Sequence, residues 1–312
     1  ANTALPTVEG VEEFRIQTNS YSAEYGRSGG GVLTIATKSG TNDLHGSLFD
    51  FLRNSQMDAN NFFANAAGRR RGTFQRNEFG ASVGGPIYIP KLYDGRNRTF
   101  FFNAYEGRRQ RSQVLAQFTL PTDLEMAGNF SNTRNAAGNV RTIFDPTTTR
   151  PDPARPGQFL RDPFSGNQIP RNRFDPVSAK VLDFYGARPN QAGQNFTGIN
   201  NFVFQGVRPD TVNRDTFKVD HNLTDKQRFF VRYTIFDVAS SQPEYWEGPG
   251  CPDGGCFTNN ERQQNAAFEY SNTLNERTIM TLRWGFARSI LNRGSWYQGF
   301  RPSSLGLPAN VE

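Results

Sequence analysis

Apolar side chains alternate with polar or small ones along several segments of this chain, and this alternation limits its fold more than any other feature. In segment 227–237 one face consists of Phe229, Val231, Tyr233 and Ile235, and the other of Arg228, Arg232 and Thr234, with Phe230 as an exception. In segment 278–288 one face consists of Met280, Leu282, Trp284 and Phe286, and the other of Thr281, Arg283, Gly285 and Ala287. A period of two residues is that of a β-strand with two different faces. The pattern predicts an all-β fold.

Similar alternation predicts a strand at 77–87, and less clean alternation predicts further strands at 46–53, 98–107, 211–222 and 263–271. Another segment, 30–38, reads as a strand buried on both faces. The connections between the alternating segments are long and short in strict turn: the long ones span 54–75, 108–210 and 238–262, and the short ones 88–97, 223–226 and 272–276. Membrane β-barrels join their strands in this way, with short periplasmic turns and long extracellular loops. We therefore predict about seven strands of a transmembrane antiparallel β-barrel.

The composition agrees with a barrel and argues against other classes. Hydrophobic residues make up 36% of the chain and the mean hydropathy is -0.66, yet aromatic residues reach 13%. No segment has the roughly 20 consecutive apolar residues of a transmembrane helix, and disordered chains are depleted in aromatic residues. The formal net charge is +6. Because the arginines are scattered along the chain and form no single stripe, we do not expect nucleic acid as a partner.

The polar residues suggest no catalytic or cofactor site. The two histidines, His45 and His221, lie far apart in sequence and join no recognisable nucleophile or metal-ligand set. We therefore expect neither an enzyme nor a bound cofactor or metal. The two cysteines, Cys251 and Cys256, lie in a predicted loop and are expected to form a small disulfide bridge, which fits an oxidising compartment.

Two basic clusters fall in predicted loops: Arg69, Arg70 and Arg71, and then Arg108, Arg109 and Arg111. One interpretation is contact with the phosphates of lipopolysaccharide or with another ligand, because guanidinium groups bind phosphate bidentately. The other, and the one we favour, is a solvated loop.

Within the long segment 108–210 we predict one helix, with Asp175 as its N-cap and Pro176 at its first position.

A glycine run, Gly29, Gly30 and Gly31, lies at the start of the strand predicted at 30–38. A phosphate-binding loop needs a following lysine and a helix after its glycines. Here a β-type segment follows, so close backbone packing inside a barrel is the better interpretation.

The run from Val11 to Asn54 resembles the plug-to-barrel junction of TonB-dependent receptors of the Oar-like type. It reads VEEFRIQTNSYSAEYGRSGGGVLTIATKSGTNDLHGSLFDFLRN. In that family a segment like VEEFRIQT is followed by YSAEYGRSGGG and a strand ending in TKSGTN, and the first barrel strand begins at HGS, here His45, Gly46 and Ser47. Later segments match in style at 76–86, 98–111 and 217–230. By this resemblance the plug motif comprises Gly29, Gly30, Gly31, Thr37, Lys38, Ser39 and Gly40.

The resemblance implies a plugged barrel of 22 strands in the outer membrane of a Gram-negative bacterium, energised through TonB. It implies that residues 1–42 are the C-terminal part of the plug and that 43–312 are the N-terminal part of the barrel, with 108–210 as a long extracellular loop. Since no signal peptide or TonB box is recognised, we expect the chain to be a piece of a longer protein.

The implied function is binding of an unidentified ligand by the extracellular loops, followed by energised transport. The implied partners are outer-membrane lipid, lipopolysaccharide and TonB. The alternative function is a non-transporting surface protein, such as an adhesin or a structural barrel.

Overall fold

The computed structural model describes residues 5–18, 31–66, 68, 70–184, 187–245, 257–295 and 299–311. Its strands are β1 (Val11–Gln17), β2 (Val32–Thr37), β3 (His45–Asn54), β4 (Phe74–Pro86), β5 (Tyr88–Ile89), β6 (Tyr93–Asp94), β7 (Thr99–Phe118), β8 (Arg150–Pro151), β9 (Phe159–Leu160), β10 (Phe202–Thr224), β11 (Gln227–Ser241), β12 (Phe257–Asn275) and β13 (Thr278–Ser295). Its α-helices are α1 (Phe62–Ala66), α2 (Asp123–Met126) and α3 (Pro176–Phe184). Short 3₁₀ turns lie at Ser55–Met57, Pro146–Thr148, Ser165–Asn167, Arg171–Arg173, Pro302–Leu305 and Ala309–Val311. Within the described ranges, no helix has the length and apolar character needed to cross a membrane.

Seven strands form one antiparallel sheet in the order β13, β12, β11, β10, β7, β4, β3. The order follows the chain once the small pairs β5–β6 and β8–β9 are set aside. Strand β10 leads into β11, and β12 into β13, through tight turns at 225–226 and 276–277. These turns alternate with long connections. The predicted all-β class and the seven barrel-type strands are confirmed.

The strands continue well beyond the apolar alternation that predicted them. The strand predicted at 98–107 is β7, which ends at Phe118, and the strand predicted at 211–222 is β10, which begins at Phe202. Pairing of β7 with β4 continues as far as Ser112. Strand pairing joins backbone groups and does not require apolar side chains. The predicted loop 108–210 is therefore wrong at both ends, and the connection spans 119–201.

The two faces of the sheet differ in chemistry. The outer face carries Phe229, Val231, Tyr233 and Ile235 of β11, and the inner face carries Phe230, Arg232, Thr234 and Phe236. On the outer face of β13, Leu282 is 56% exposed and Trp284 is 60% exposed. On the inner face, Thr234 is buried opposite Thr216 of β10. Strands β11 and β13 thus present large apolar side chains outward, as the alternation predicts. The outer face of β7 and β10 also carries polar pairs, Asn103 with Asp215 and Tyr105 with Asn213.

Cations explain the aromatic residues on the inner face of β11. Lys218 Nζ lies 5.1 Å from the centroid of the Phe230 ring, and Arg214 Cζ lies 4.9 Å from that of Phe236. A cation over an aromatic face is attracted to the electrons of the ring. Phe230 breaks the apolar alternation of the sequence because its ring faces a cation, Lys218, on the neighbouring strand β10.

The strands β1 and β2 form a separate antiparallel pair, in which Phe14 stands opposite Ile35. We call residues 7–17 and 32–40 the N-terminal β-pair. Leu33 in β2 is 51% exposed. The prediction that segment 30–38 is buried on both faces is therefore wrong for its described residues. The physical reason is that β1 covers β2 along one edge and leaves side chains on its faces open.

The described residues fall into two compact units. The first comprises residues within 1–112, 208–241 and 258–294, and it contains the N-terminal β-pair and most of the sheet. The second comprises residues within 113–207, 242–257 and 295–312. In the second unit Tyr245 packs edge-on against Phe204 and Phe118, with ring centroids 5.0 Å and 5.8 Å away.

The connection 119–201 belongs to the second unit and has regular structure of its own. The predicted helix is present as α3, and Asp175 caps it, because its Oδ1 accepts a hydrogen bond from Ser178 N at 2.8 Å. The aromatic ring of Phe184 at the end of α3 lies 4.6 Å from that of Phe300. The helix therefore packs against another part of its own unit, as we would expect of a segment that anchors a long loop.

Candidate functional site

The inner face of the sheet contacts the N-terminal β-pair at Lys218 in β10. Lys218 Nζ donates hydrogen bonds to Ser39 Oγ at 2.7 Å and to the Thr37 carbonyl oxygen at 3.3 Å, and it lies 3.4 Å from Asp220 Oδ1. Lys218 is 8% exposed. Lys218 and Asp220 share the inner face because they are two residues apart on one strand. This lysine joins the segment before β3 to the sheet through a charged donor, which makes stronger hydrogen bonds than a neutral one.

Glu9 makes a second contact between the N-terminal segment and the sheet. Its Oε2 accepts a hydrogen bond from Ser47 Oγ at 3.1 Å and lies 3.8 Å from Lys38 Nζ. Ser47 Oγ is also 2.8 Å from Ser82 Oγ, which stands opposite it in β4. Because these side chains are partly exposed, the ion pair itself adds little stability. Its effect is to fix the position of the β-pair over β3 and β4.

Glu106 in β7 provides a third contact. Its carboxylate accepts a hydrogen bond from Val8 N at 3.3 Å and lies 3.6 Å from Arg214 Nη1 of β10. The three contacts together hold residues 8–9 and 37–39 against the inner face of β3, β4, β7 and β10. The sheet therefore offers the β-pair a polar docking surface with charged groups of both signs.

Gly40 lies where the chain passes very close to the sheet. A Cβ placed on Gly40 would meet the carbonyl oxygen of Gly85 at 2.7 Å and its nitrogen at 2.9 Å, and would also meet the carbonyl oxygen of Phe101. These are backbone atoms of paired strands and cannot rotate away. Only glycine fits so close an approach, which gives a physical reason for a glycine at the end of the predicted plug motif.

The structure brings part of the predicted plug motif to the docking surface. Thr37, Ser39 and Gly40 contact the sheet, and Lys38 faces Glu9. Gly31 has a φ of 131°, a conformation that favours glycine. Gly29 and Gly30 lie outside the described residues. Cys251 and Cys256 also lie outside them, so the disulfide stays a prediction.

The second predicted basic cluster is wrong as a loop patch, because Arg108, Arg109 and Arg111 lie within β7. Arg108 Nη2 is 3.7 Å from Asp210 Oδ1. Arg109 Nη1 donates to the Val212 carbonyl oxygen at 2.9 Å, and its guanidinium lies over the Phe79 ring at 5.4 Å. Both arginines therefore have partners on neighbouring strands.

The first basic cluster does lie in a connection, the one between β3 and β4. Arg70 is exposed, and Arg71 Nη1 donates to the carbonyl oxygen of Asp58. Arg69 lies outside the described residues.

The two histidines have local partners rather than each other. His45 Nδ1 lies 2.9 Å from the Asp43 carbonyl oxygen, and His221 Nδ1 lies 2.7 Å from Thr99 Oγ1. Among the residues that the structure describes, no group of three or more histidine, cysteine, aspartate or glutamate side chains is placed to hold a metal ion.

Sequence reasoning missed Glu9 and Lys218. A signal for Lys218 was present, because it is a charged residue on the polar face of a predicted strand. Its partners Thr37 and Ser39 lie about 180 residues earlier in the chain, so no local pattern identifies the contact.

Comparison with known proteins agrees with this architecture. A family model described as outer membrane beta barrel domain matches residues 36–311. The TonB-dependent transporter Oar of Myxococcus xanthus is 33% identical over 100 residues, which cover 30% of this chain and 9% of that relative. No solved structure matches. Because the family model covers most of the chain, this chain belongs to the outer-membrane β-barrel family, and its place is the outer membrane of a Gram-negative bacterium.

Proposed function

We propose that this chain is part of a TonB-dependent transporter, in which residues 1–42 belong to the plug and residues 43–312 to the barrel. The observation that carries the proposal is the docking of the N-terminal β-pair on the inner face of the sheet through Lys218, Ser39 and Thr37. The similarity to the Oar transporter supports it. The proposal includes no catalytic role for the chain.

The contacts suit a plug that is held in place and yet able to move. Ion pairs such as Glu9 with Lys38 are partly exposed, so water replaces them at small cost. The better buried contact at Lys218 lies next to Gly40, close to the start of β3. We propose that pulling by TonB separates the exposed contacts first and the Lys218 contact last, which makes Ser39 accessible.

Ligand binding in this proposal belongs to the long connections, above all 119–201. Lipid and lipopolysaccharide meet the outer face of the sheet, and the exposed Arg70 is our candidate for a phosphate contact. The ligand is a solute whose binding at the connections precedes movement of the plug.

Cysteine labelling in cells tests this function. Ser39→Cys is made in the protein expressed from its native gene, with Cys251 and Cys256 replaced by serine, and labelling by an impermeant maleimide is measured with and without TonB. We expect faster labelling when TonB and the proton gradient are present. Ser271→Cys, on the inner face of β12, is the matched control and is expected to label equally in both strains. Equal labelling of position 39 in the two strains would contradict energised movement and favour a non-transporting surface protein.

A further inference from the structure

Lys218 of β10 and Arg232 of β11 stand directly opposite each other on the inner face. Like charges at directly opposed positions destabilise an antiparallel strand pair. Lys218 has Ser39, Thr37 and Asp220 as partners. In contrast, the Nε of Arg232 is buried and has no hydrogen-bond partner among the described residues, and the same holds for Oδ2 of Asp220.

The neighbouring side chains do not supply the missing negative charge. On the inner face, β7, β10 and β11 carry the cations Arg108, Arg208, Arg214, Lys218, Arg228 and Arg232 and the carboxylates Glu106, Asp210 and Asp220. In β12 the carboxylate diagonal to Arg232 is Glu269. Its Oε2 accepts a hydrogen bond from Arg283 Nε at 2.7 Å. Arg232 therefore faces an excess of positive charge in a partly desolvated position.

We propose that Arg232 donates to an oxyanion, the carboxylate or phosphate group of a solute that reaches the inner face, and that Lys218, whose ammonium already faces Ser39, Thr37 and Asp220, contributes its charge to this site. An anion between the two cations converts their repulsion into attraction. The Nε–H and Nη–H groups of Arg232 form a planar fork that matches two oxygens of such a group. This site rests on the register of β10 and β11 and not on TonB-dependent transport, so it goes beyond the proposed function.

Thermal unfolding of the complete chain in neutral detergent tests the site, with inorganic phosphate as the probe and chloride at equal ionic strength as the reference. In wild type, phosphate at about ten times its dissociation constant is expected to raise Tm by about 3 °C. Arg232→Gln removes the opposed charge, so its Tm in chloride equals or exceeds that of wild type, and phosphate no longer raises it. Phosphate is therefore expected to raise the Tm of wild type relative to that of Arg232→Gln, although wild type is no more stable than the variant in chloride.

Two further variants separate the site from general charge effects. Arg228→Gln removes an exposed arginine on the same face of the same strand, opposite Asn222, and keeps the phosphate response. Arg232→Lys keeps the charge without the planar fork, and its phosphate response is weaker. A phosphate response in Arg232→Gln equal to that of wild type would overturn the proposal. So would a loss of stability in Arg232→Gln in chloride, because a carboxylate of the protein itself would then already pair with Arg232.

Discussion

Lys218→Met is the substitution that most sharply probes how the N-terminal β-pair is held. Methionine keeps the unbranched stem and the volume of lysine, so it removes the ammonium group without leaving a large cavity. The change deletes the hydrogen bonds to Ser39 Oγ and to the Thr37 carbonyl oxygen. It also removes the cation that lies 3.4 Å from Asp220.

The expected cost follows from these contacts. A hydrogen bond from a charged donor contributes about 1.5–3 kcal/mol, and the cation over the Phe230 ring adds about 0.5–1 kcal/mol. Loss of the opposed charge of Arg232 returns about 0.2–1 kcal/mol. Only the hydrogen bond to Ser39 is counted, because the 3.3 Å contact with the Thr37 carbonyl oxygen is longer than an ordinary N–H···O bond. We therefore expect Lys218→Met to lower the free energy of unfolding by about 1–4 kcal/mol.

Urea unfolding in detergent micelles measures the cost, and hydrogen exchange at residues 37–40 shows where it arises. We expect faster exchange at the amides of the β-pair and unchanged exchange in β12. Lys226→Met, at an exposed lysine in the turn before β11, is the matched control and is expected to leave both readings unchanged. A loss below about 0.5 kcal/mol, or unchanged exchange at residues 37–40, would refute Lys218 as the anchor.

Three other perturbations test separate parts of the structure. Leu282→Arg on the outer face should lower the free energy of folding into vesicles by about 2–4 kcal/mol, because it places a charge in lipid. Thr281→Arg on the inner face should lower it much less. Equal losses would mean that the two faces of β13 are wrongly assigned. Gly40→Ala should destabilise the protein by about 1–3 kcal/mol through overlap with backbone atoms, whereas Gly285→Ala, where the nearest atom is 4.0 Å from the added Cβ, should unfold like wild type in urea. Hydrogen bonds from Arg173 and Thr147 lower the pKa of Asp145 to about 2 from 3.8. This carboxylate therefore stabilises the 119–201 connection above pH 4, and its contribution is lost as the pH falls toward 2. Asp145→Asn should remove this pH dependence from the protease resistance of the connection, and an unchanged pH profile would count against the ion pair.

The strands were predictable because one of their faces is apolar, and their ends were not. Alternation in 98–107 stops where Arg108 begins a charged run, yet β7 continues to Phe118. Beyond the apolar band the outer face no longer needs apolar side chains, while the backbone still pairs. Hydropathy therefore identifies the part of each strand that meets lipid and underestimates the rest.

The docking surface was predictable only in part. The motif around Lys38 and Gly40 was recognisable from its resemblance to plug-to-barrel junctions. The residues that receive it, Glu106 and Lys218, lie on strands far along the chain. Which inner-face charge meets the β-pair depends on strand register, and a sequence pattern with a period of two defines the face without defining the contact.

The central claim is that one face of this sheet meets lipid while the other holds the N-terminal β-pair. Spin labels placed singly at each position from 228 to 237 of β11, in outer-membrane vesicles, test it directly through their collision rates with oxygen and with a water-soluble nickel complex. We predict that labels at 229, 231, 233 and 235 collide preferentially with oxygen and that labels at 230, 232, 234 and 236 are shielded from lipid, with a period of two residues. A profile without that period, or one with the two sets exchanged, would contradict the account.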